Sequence, residues 1–259
     1  MEIYNIVLIS MTVLAAIVFI ALNYYTAGYG FLRTSKWGAT VPNKLGWVVM
    51  EMPVFVFMSL MFAQSGKTDN VTISIITNFF LLHYFQRSFI FPFLIRGNGR
   101  MPISIILMGM IFNTLNAYIQ GSWLYKYAPD NYYTEEWLKS PQFIIGTALF
   151  LWGMFVNIQS DHIIRNLRKK GDTRHYIPQG GMFKYVSSAN YFGEIVEWIG
   201  FAIMTWSVSG AVFALWTCAN LIPRSNSLYK KYEEEFGEEF TKLNLMELTR
   251  KHINSKKEE

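Results

Sequence analysis

The chain has 259 residues, of which 52% are hydrophobic, 17% aromatic and only 16% charged, with a formal net charge of +5. Soluble domains carry about 25% charged residues, so this composition excludes an ordinary soluble enzyme and points to several helices that cross a bilayer, each needing about 20 apolar residues. The modest positive charge fits loop placement rather than a nucleic-acid-binding face. The single cysteine, Cys218 in an apolar run, excludes a disulfide framework and a cysteine metal site.

In chain order, apolar runs predict helices near 3–24, 45–62, 73–95, 103–122, 143–159, 190–206 and 211–222. The first follows Met-Glu with no basic n-region and is longer than a usual signal h-region, so it reads as a membrane helix and not a cleaved leader. The fold class expected is all-α: one polytopic membrane unit of seven transmembrane helices, with the N-terminus outside and the C-terminus cytoplasmic. Charge supports this topology. The outer loops hold only Lys67, Lys126 and Lys139, whereas the inner segments hold nearly all the other Lys and Arg. Merging the last two runs would send the basic tail outside, so a break is expected near Ser207–Gly210, followed by a short final helix. Residues 1–228 read as the membrane unit and 229–259 as a charged cytoplasmic tail that begins as an amphipathic surface helix. The membrane is a bacterial inner membrane, or the endoplasmic reticulum in a eukaryote.

Polar residues inside these runs are the functional candidates, because lipid penalises them unless they face a cavity or a partner. Glu51 sits in the middle of the second run. Apolar surroundings favour its neutral form, which can donate a hydrogen bond. In the third run Tyr84 is a donor for a carbonyl oxygen, and Arg87 needs a carboxylate or a phosphate. At the end of the fifth run Asn157, Asp161, Arg165 and Arg168 fall on one helical face. Asn and Asp suit ribose or an amide and Arg suits phosphate, so this stripe reads either as a nucleotide wall or as a helix end surfacing into water. A second stripe, Asn190, Glu194, Glu197 and Trp198, begins on the same side of the membrane. Between the two lies the basic, turn-rich stretch 168–181, which ends in Gly180-Gly181. The four histidines include no Glu-x-x-His arrangement, so no metal is expected. Neither Gly-x-Gly-x-x-Gly nor a P-loop is present.

The ordered motifs are Trp47-x-x-x-Glu51-x-Pro53, His83-Tyr84-Phe85-x-Arg87, Pro92-Phe93-Leu94-x-Arg96-Gly97, Gly153-Met154-x-x-Asn157-Ile158-x-Ser160-Asp161, Leu167-Arg168-Lys169-x-Gly171-Asp172, Ile177-Pro178-x-Gly180-Gly181, and Ala189-Asn190-Tyr191-Phe192-Gly193-Glu194-Ile195-x-Glu197-Trp198. In order and spacing the chain resembles the steroid 5α-reductase family of membrane NADPH-dependent enzymes, from Tyr29 to Tyr232. The resemblance implies a seven-helix fold with NADPH on the cytoplasmic side, touched by Asn157, Asp161, Arg168, Asn190, Glu194, Arg224 and Tyr232, with Arg87 and Arg96 nearby. It implies that Glu51 and Tyr84 hold the substrate's 3-keto oxygen, and that Trp47, Phe91 and Trp198 line the substrate chamber. The implied reaction reduces the Δ4 bond of a testosterone- or progesterone-like 3-oxo-Δ4-steroid, with hydride delivered to C5. The implied partners are a steroid or other enone lipid and the membrane itself, with no nucleic acid and no required protein.

The chain departs from the animal enzymes at several positions. Met50 stands where they carry Gln, Phe91 where some carry Tyr, and Leu228 where they carry His. His175-Tyr176 replaces a Tyr-basic pair, and the charged tail replaces a short apolar end. These departures bear on the substrate rather than the reaction class. The alternatives are a polyprenal or enoyl-CoA lipid reductase of the same fold, an S-adenosylmethionine-dependent membrane methyltransferase, and a non-enzymatic lipid-binding protein.

Overall fold

Apolar runs become helices, and polar flanks cap three of them, Asn70 accepting from Ile73 N, Ser140 from Phe143 N and Ser207 from Gly210 N. A computed structural model describes residues 1–32, 34–169, 172 and 174–240. In order these form α1 (Glu2–Tyr24), β1 (Thr40–Pro42), α2 (Asn43–Ala63), α3 (Val71–Phe85), a π-helical segment Gln86–Ile90, α4 (Phe91–Leu94), β2 (Arg100–Pro102), α5 (Ile103–Ser122) with a π-helical end Trp123–Tyr127, α6 (Pro141–Asn166), α7 (Ala189–Thr205) and α8 (Val208–Phe236), joined by short 3-10 turns. Among the described residues four helices are long and apolar enough to cross a membrane: Glu2–Tyr24, Asn43–Ala63, Ile103–Tyr127 and Pro141–Asn166. Arg33, Lys170, Gly171, Thr173 and the tail from position 241 lie outside the described residues.

The mostly helical expectation is met, with one small addition. β1 and β2 pair antiparallel, Val41 opposite Met101. The ladder is extended by Asn43 N donating to Gly99 O and Ile103 N donating to Ala39 O. α2 and α5 therefore leave one anchor side by side. At about 1.5 Å per residue, Glu51 on α2 and Asn113 on α5 both come to lie roughly 12–15 Å beyond it.

Two lengths are corrected. The fifth predicted helix does not stop at 159: α6 runs 26 residues to Asn166. The last helix is not short: α8 has 29 residues and continues through position 228 into the charged segment. The period of apolar residues fades in both places, but the helices extend because their polar turns find partners in neighbouring segments. The break expected near Ser207 is present. Trp206 takes a left-handed φ of 46°, and the Ser207 hydroxyl caps α8 by accepting from Gly210 N. The carbonyls left open at the end of α7 accept from three aromatic donors: Trp137 Nε1 to Met204, Tyr133 OH to Thr205 and Tyr132 OH to Trp206.

α6 and α7 meet along a seam of four glycines spaced by seven residues, Gly146 and Gly153 facing Gly193 and Gly200. A Cβ at any of them would overlap the backbone of the opposite helix. Small residues let membrane helices approach this closely. Here the approach sets the stripe of α6 against the stripe of α7.

Candidate active site

Backbone contact along the glycine seam determines what the polar side chains at its end can reach. Asn157 Nδ2 on α6 donates to Asn190 O on α7 (2.9 Å) and to Glu194 Oε2 (3.4 Å). Asn190 Nδ2 donates back to Asp161 Oδ1 (3.4 Å). Asp161 Oδ2 receives Arg87 NH1 at 3.0 Å, and both side chains are buried. Arg87 lies on the π-helical segment after α3, and such widened turns often occur at functional sites. Its guanidinium lies in the corner formed by Phe91 (4.3 Å to the ring centre) and Trp47 (4.8 Å), two rings set edge-to-face. It feels the charges of Glu194 and Asp161 most strongly, then those of Glu51 and Glu197. Arg87 thus bonds to the α6–α7 cluster while its charge acts on Glu51 of α2.

Glu51 and Tyr84 lie within each other's electrostatic field. Each contacts α5: Asn113 Nδ2 donates to Glu51 Oε2 (3.2 Å), and Asn116 Nδ2 donates to the Tyr84 hydroxyl (3.3 Å). Tyr84 is 3% exposed and packs against Trp198, whose own exposure is 1%. His83 beside it pairs through Nδ1 with Glu197 Oε1 at 2.7 Å. The second oxygen of Glu197 and the hydroxyls of Ser160 and Ser88 are buried without a partner.

The remaining residues fall around this centre. Arg224 on α8 donates through Nε to Tyr191 OH, through NH1 to Ala27 O and through NH2 to Tyr29 O, and it stacks 3.5 Å from the Tyr29 ring centre. A guanidinium has five N–H donors, so two remain for a ligand. Burial pushes the Tyr29 hydroxyl up to about 12 against the pull of Arg224. Tyr232 stacks on Phe31 and Phe236, and burial raises it to about 12. Arg168 is exposed just past α6, not on its helical face, and its charge acts on Tyr176 and Tyr232. Arg165 does not pair directly with Asp161 but bonds His162 Nδ1 at 3.2 Å. Arg96 is exposed in the loop after α4. In the basic stretch Arg174 and Tyr176 hold the Asp172 carboxyl well below the usual carboxylate range.

The structure therefore brings together Asn157, Asp161, Asn190, Glu194, Arg87, Glu51 and Tyr84, with Trp47, Phe91 and Trp198 as apolar walls. Sequence reading missed the amides of α5. Asn113, Asn116 and Gln120 recur at i, i+3 and i+7 in an apolar run, the same signal that marked the other two stripes. Tyr29 and Tyr191, which fix Arg224, carried no such signal.

Residues 99–245 match the family model described as 3-oxo-5-alpha-steroid 4-dehydrogenase. The chain is 41% identical over 227 residues to "3-oxo-5-alpha-steroid 4-dehydrogenase 1" of Bos taurus, covering 86% of this chain and 87% of that protein. It is 43% identical over 200 residues to the protein of that name from Homo sapiens, covering 76% of each. It is 37% identical over 245 residues to "Steroid 5-alpha-reductase DET2" of Solanum lycopersicum, covering 93% of this chain and 94% of that protein.

Proposed function

The chain belongs to the 3-oxo-5-alpha-steroid 4-dehydrogenase family of oxidoreductases, and on that premise we propose that it reduces the Δ4 double bond of a 3-oxo-Δ4-steroid to the 5α-3-oxosteroid with NADPH. The methyltransferase and non-enzymatic readings are thereby set aside. The observation that carries the proposal is Arg87, which is bonded to Asp161 in the Asn157–Asp161–Asn190–Glu194 cluster and whose charge also acts on Glu51, the acid that shares an electrostatic field with Tyr84.

The donor set suits a nicotinamide dinucleotide. Asn157, Asn190 and the carboxylates of Asp161 and Glu194 offer donors and acceptors to an amide and ribose hydroxyls, and the buried, unpartnered Ser160 hydroxyl beside them is available to a ligand. The two remaining donors of Arg224, and the exposed Arg168 and Arg96, are the cations that phosphates would meet. Tyr232 forms an aromatic wall beside Arg168. Bound NADPH supplies the hydride that arrives at C5.

An isolated C=C bond does not accept hydride readily, but conjugation to a carbonyl makes the β-carbon electrophilic. As the new C–H bond forms at C5, the π electrons shift to the C3 oxygen as an enolate. A proton then adds at C4 and the ketone reforms. Glu51, as a neutral acid, and Tyr84 each donate a hydrogen bond to the C3 oxygen where that charge develops. Removing one donor of this kind typically costs about 10²–10³ in turnover. Trp198, packed behind Tyr84, keeps water out of the phenol's surroundings, and Trp47 and Phe91 hold Arg87 in place.

In this reading the helical rods form seven spans with the N-terminus outside, the cofactor cluster faces the cytoplasm, and the substrate enters from the bilayer. Residues 229–259 are the cytoplasmic tail. The test is NADPH oxidation by the purified protein with testosterone and progesterone, with the C5 configuration of the product determined. Glu51→Gln and Tyr84→Phe should each lower turnover at least tenfold with NADPH affinity retained. No turnover with any steroid enone would refute the substrate, and loss of NADPH binding in both variants would refute the placement of the pair.

A further inference from the structure

We propose that Asn113, Asn116 and Gln120 on α5 are positioning residues that fix the direction of hydrogen donation at Glu51 and Tyr84, turning both donated hydrogens away from α5 and towards the substrate's carbonyl oxygen. The inference rests on the proposed role of that pair and concerns which way each donor points.

The direction follows from a backbone carbonyl, which can only accept. Gln120 Nε2 lies 2.8 Å from Ser209 O, so the nitrogen end of that amide, not its oxygen, faces α8. The second hydrogen on Nε2 goes to Asn116 Oδ1 at 3.2 Å. That contact fixes the Asn116 amide in turn, with Oδ1 towards Gln120 and Nδ2 towards Tyr84. Nδ2 is donor-only, so at 3.3 Å the Tyr84 oxygen accepts. A phenol has one hydrogen, and it cannot point at a group that is itself donating. It is therefore free for another acceptor.

The same logic applies to Glu51. Asn113 Nδ2 donates one hydrogen to Met50 O at 2.9 Å, again a carbonyl that can only accept, and the other to Glu51 Oε2 at 3.2 Å. Oε2 is thereby the accepting oxygen, and the acid proton sits on Oε1. The three amides are buried, at 4%, 0% and 1% exposure for Asn113, Asn116 and Gln120. Water is thus kept from scrambling the order.

A merely structural network makes the opposite prediction for two variants. Asn116→Asp keeps the shape and still accepts from Gln120; while neutral its O–H donates to Tyr84 as the amide does, but once ionised, at the alkaline end of the assay range, its carboxylate oxygen accepts the Tyr84 hydrogen and removes it from the substrate. Asn116→Leu leaves Gln120 short of a partner but leaves the Tyr84 hydrogen free. If α5 sets donor direction, N116D lowers kcat for testosterone progressively as pH rises, to about 100-fold once the new carboxyl is ionised, N116L lowers it less than tenfold at every pH, and KM and NADPH Kd stay within about twofold in both. In a Tyr84→Phe background, N116D costs no further kcat. If the network is only structural, N116L is the worse variant in both kcat and melting temperature, and the proposal falls.

Should N116D not fold, Gln120→Leu decides. It releases the Asn116 amide to turn its oxygen towards Tyr84, so kcat falls with KM preserved, and that loss vanishes in an Asn116→Leu background. Equal kcat losses from Gln120→Leu in both backgrounds overturn the proposal. Wild-type kcat in Tyr84→Phe itself would instead refute the role of Tyr84, a separate failure.

Discussion

Gly153→Ala tests whether the glycine seam positions the candidate cofactor cluster. A Cβ at Gly153 would lie 2.4 Å from Glu197 N, 2.6 Å from Gly193 O and 2.8 Å from Glu197 Cα, whereas ordinary contact begins near 3.4 Å. All three atoms belong to helix backbone, so relief requires α6 and α7 to part by about 0.6–1.0 Å. The Asn157–Asn190 bond would then lengthen from 2.9 Å to about 3.5–3.9 Å, at or beyond the limit of hydrogen-bonding reach. Overpacking of this kind costs about 1–3 kcal/mol of stability, and the lost bond about 0.5–1.5 kcal/mol of cluster order, or roughly two- to twelvefold in NADPH affinity. Gly146→Ala is the matched control. It meets Met204 backbone in the same way but lies about 10 Å further along the helix from the cluster. The assay is thermal unfolding in detergent together with NADPH titration by tryptophan quenching. Both variants should melt several degrees lower, and only Gly153→Ala should bind NADPH more weakly. Unchanged melting and affinity in Gly153→Ala, or an equal affinity loss in Gly146→Ala, would refute the reasoning.

Three further outcomes are expected. Arg87→Met leaves the buried Asp161 without its cation and should destabilise the protein by about 3–5 kcal/mol; adding Asp161→Asn should recover much of that loss, as read by denaturant or thermal unfolding. Trp206→Gly removes a side chain from a left-handed position, where non-glycine residues cost about 1–2 kcal/mol, so it should preserve or raise the melting temperature, while Trp206→Val should lower it. Tyr29 has a hydroxyl raised above its ordinary value of 10.0 to about 12. The stability linked to its neutral form is complete below pH 10 and is lost as pH rises through about 12. A phenolate absorbance titration of Tyr29→Phe should therefore lack one step near pH 12 and match the parent below pH 10.

The helices were legible because lipid allows few alternatives. Backbone groups without water must bond within the segment, so apolar runs near positions 3, 45, 103 and 143 mark the starts of α1, α2, α5 and α6 to within a few residues. The break at Ser207 was legible from charge balance alone, although its means, a left-handed Trp206 and a serine cap, was not. The lengths of α6 and α8 were underestimated because periodicity ends where polar function begins. Asn157 and Asp161 showed themselves as a stripe, and the α5 amides were equally visible by spacing but passed as ordinary polar residues in a bundle.

The sequence by itself determined that this is a helical, membrane-type chain of the 3-oxo-5-alpha-steroid 4-dehydrogenase family, and which polar residues are too costly in lipid to be incidental. Composition and spacing carry that information because burial is paid for locally, residue by residue. Only the tertiary structure decided which of those residues meet. Arg87 reaches Asp161 across 74 positions, His83 reaches Glu197 across 114, and Arg224 reaches Tyr29 across 195. The direction of each amide on α5 is likewise set by carbonyls of other helices. Such contacts depend on how closely glycine-lined helices approach and on which donor finds a carbonyl, and neither is written in the periodicity of any one segment.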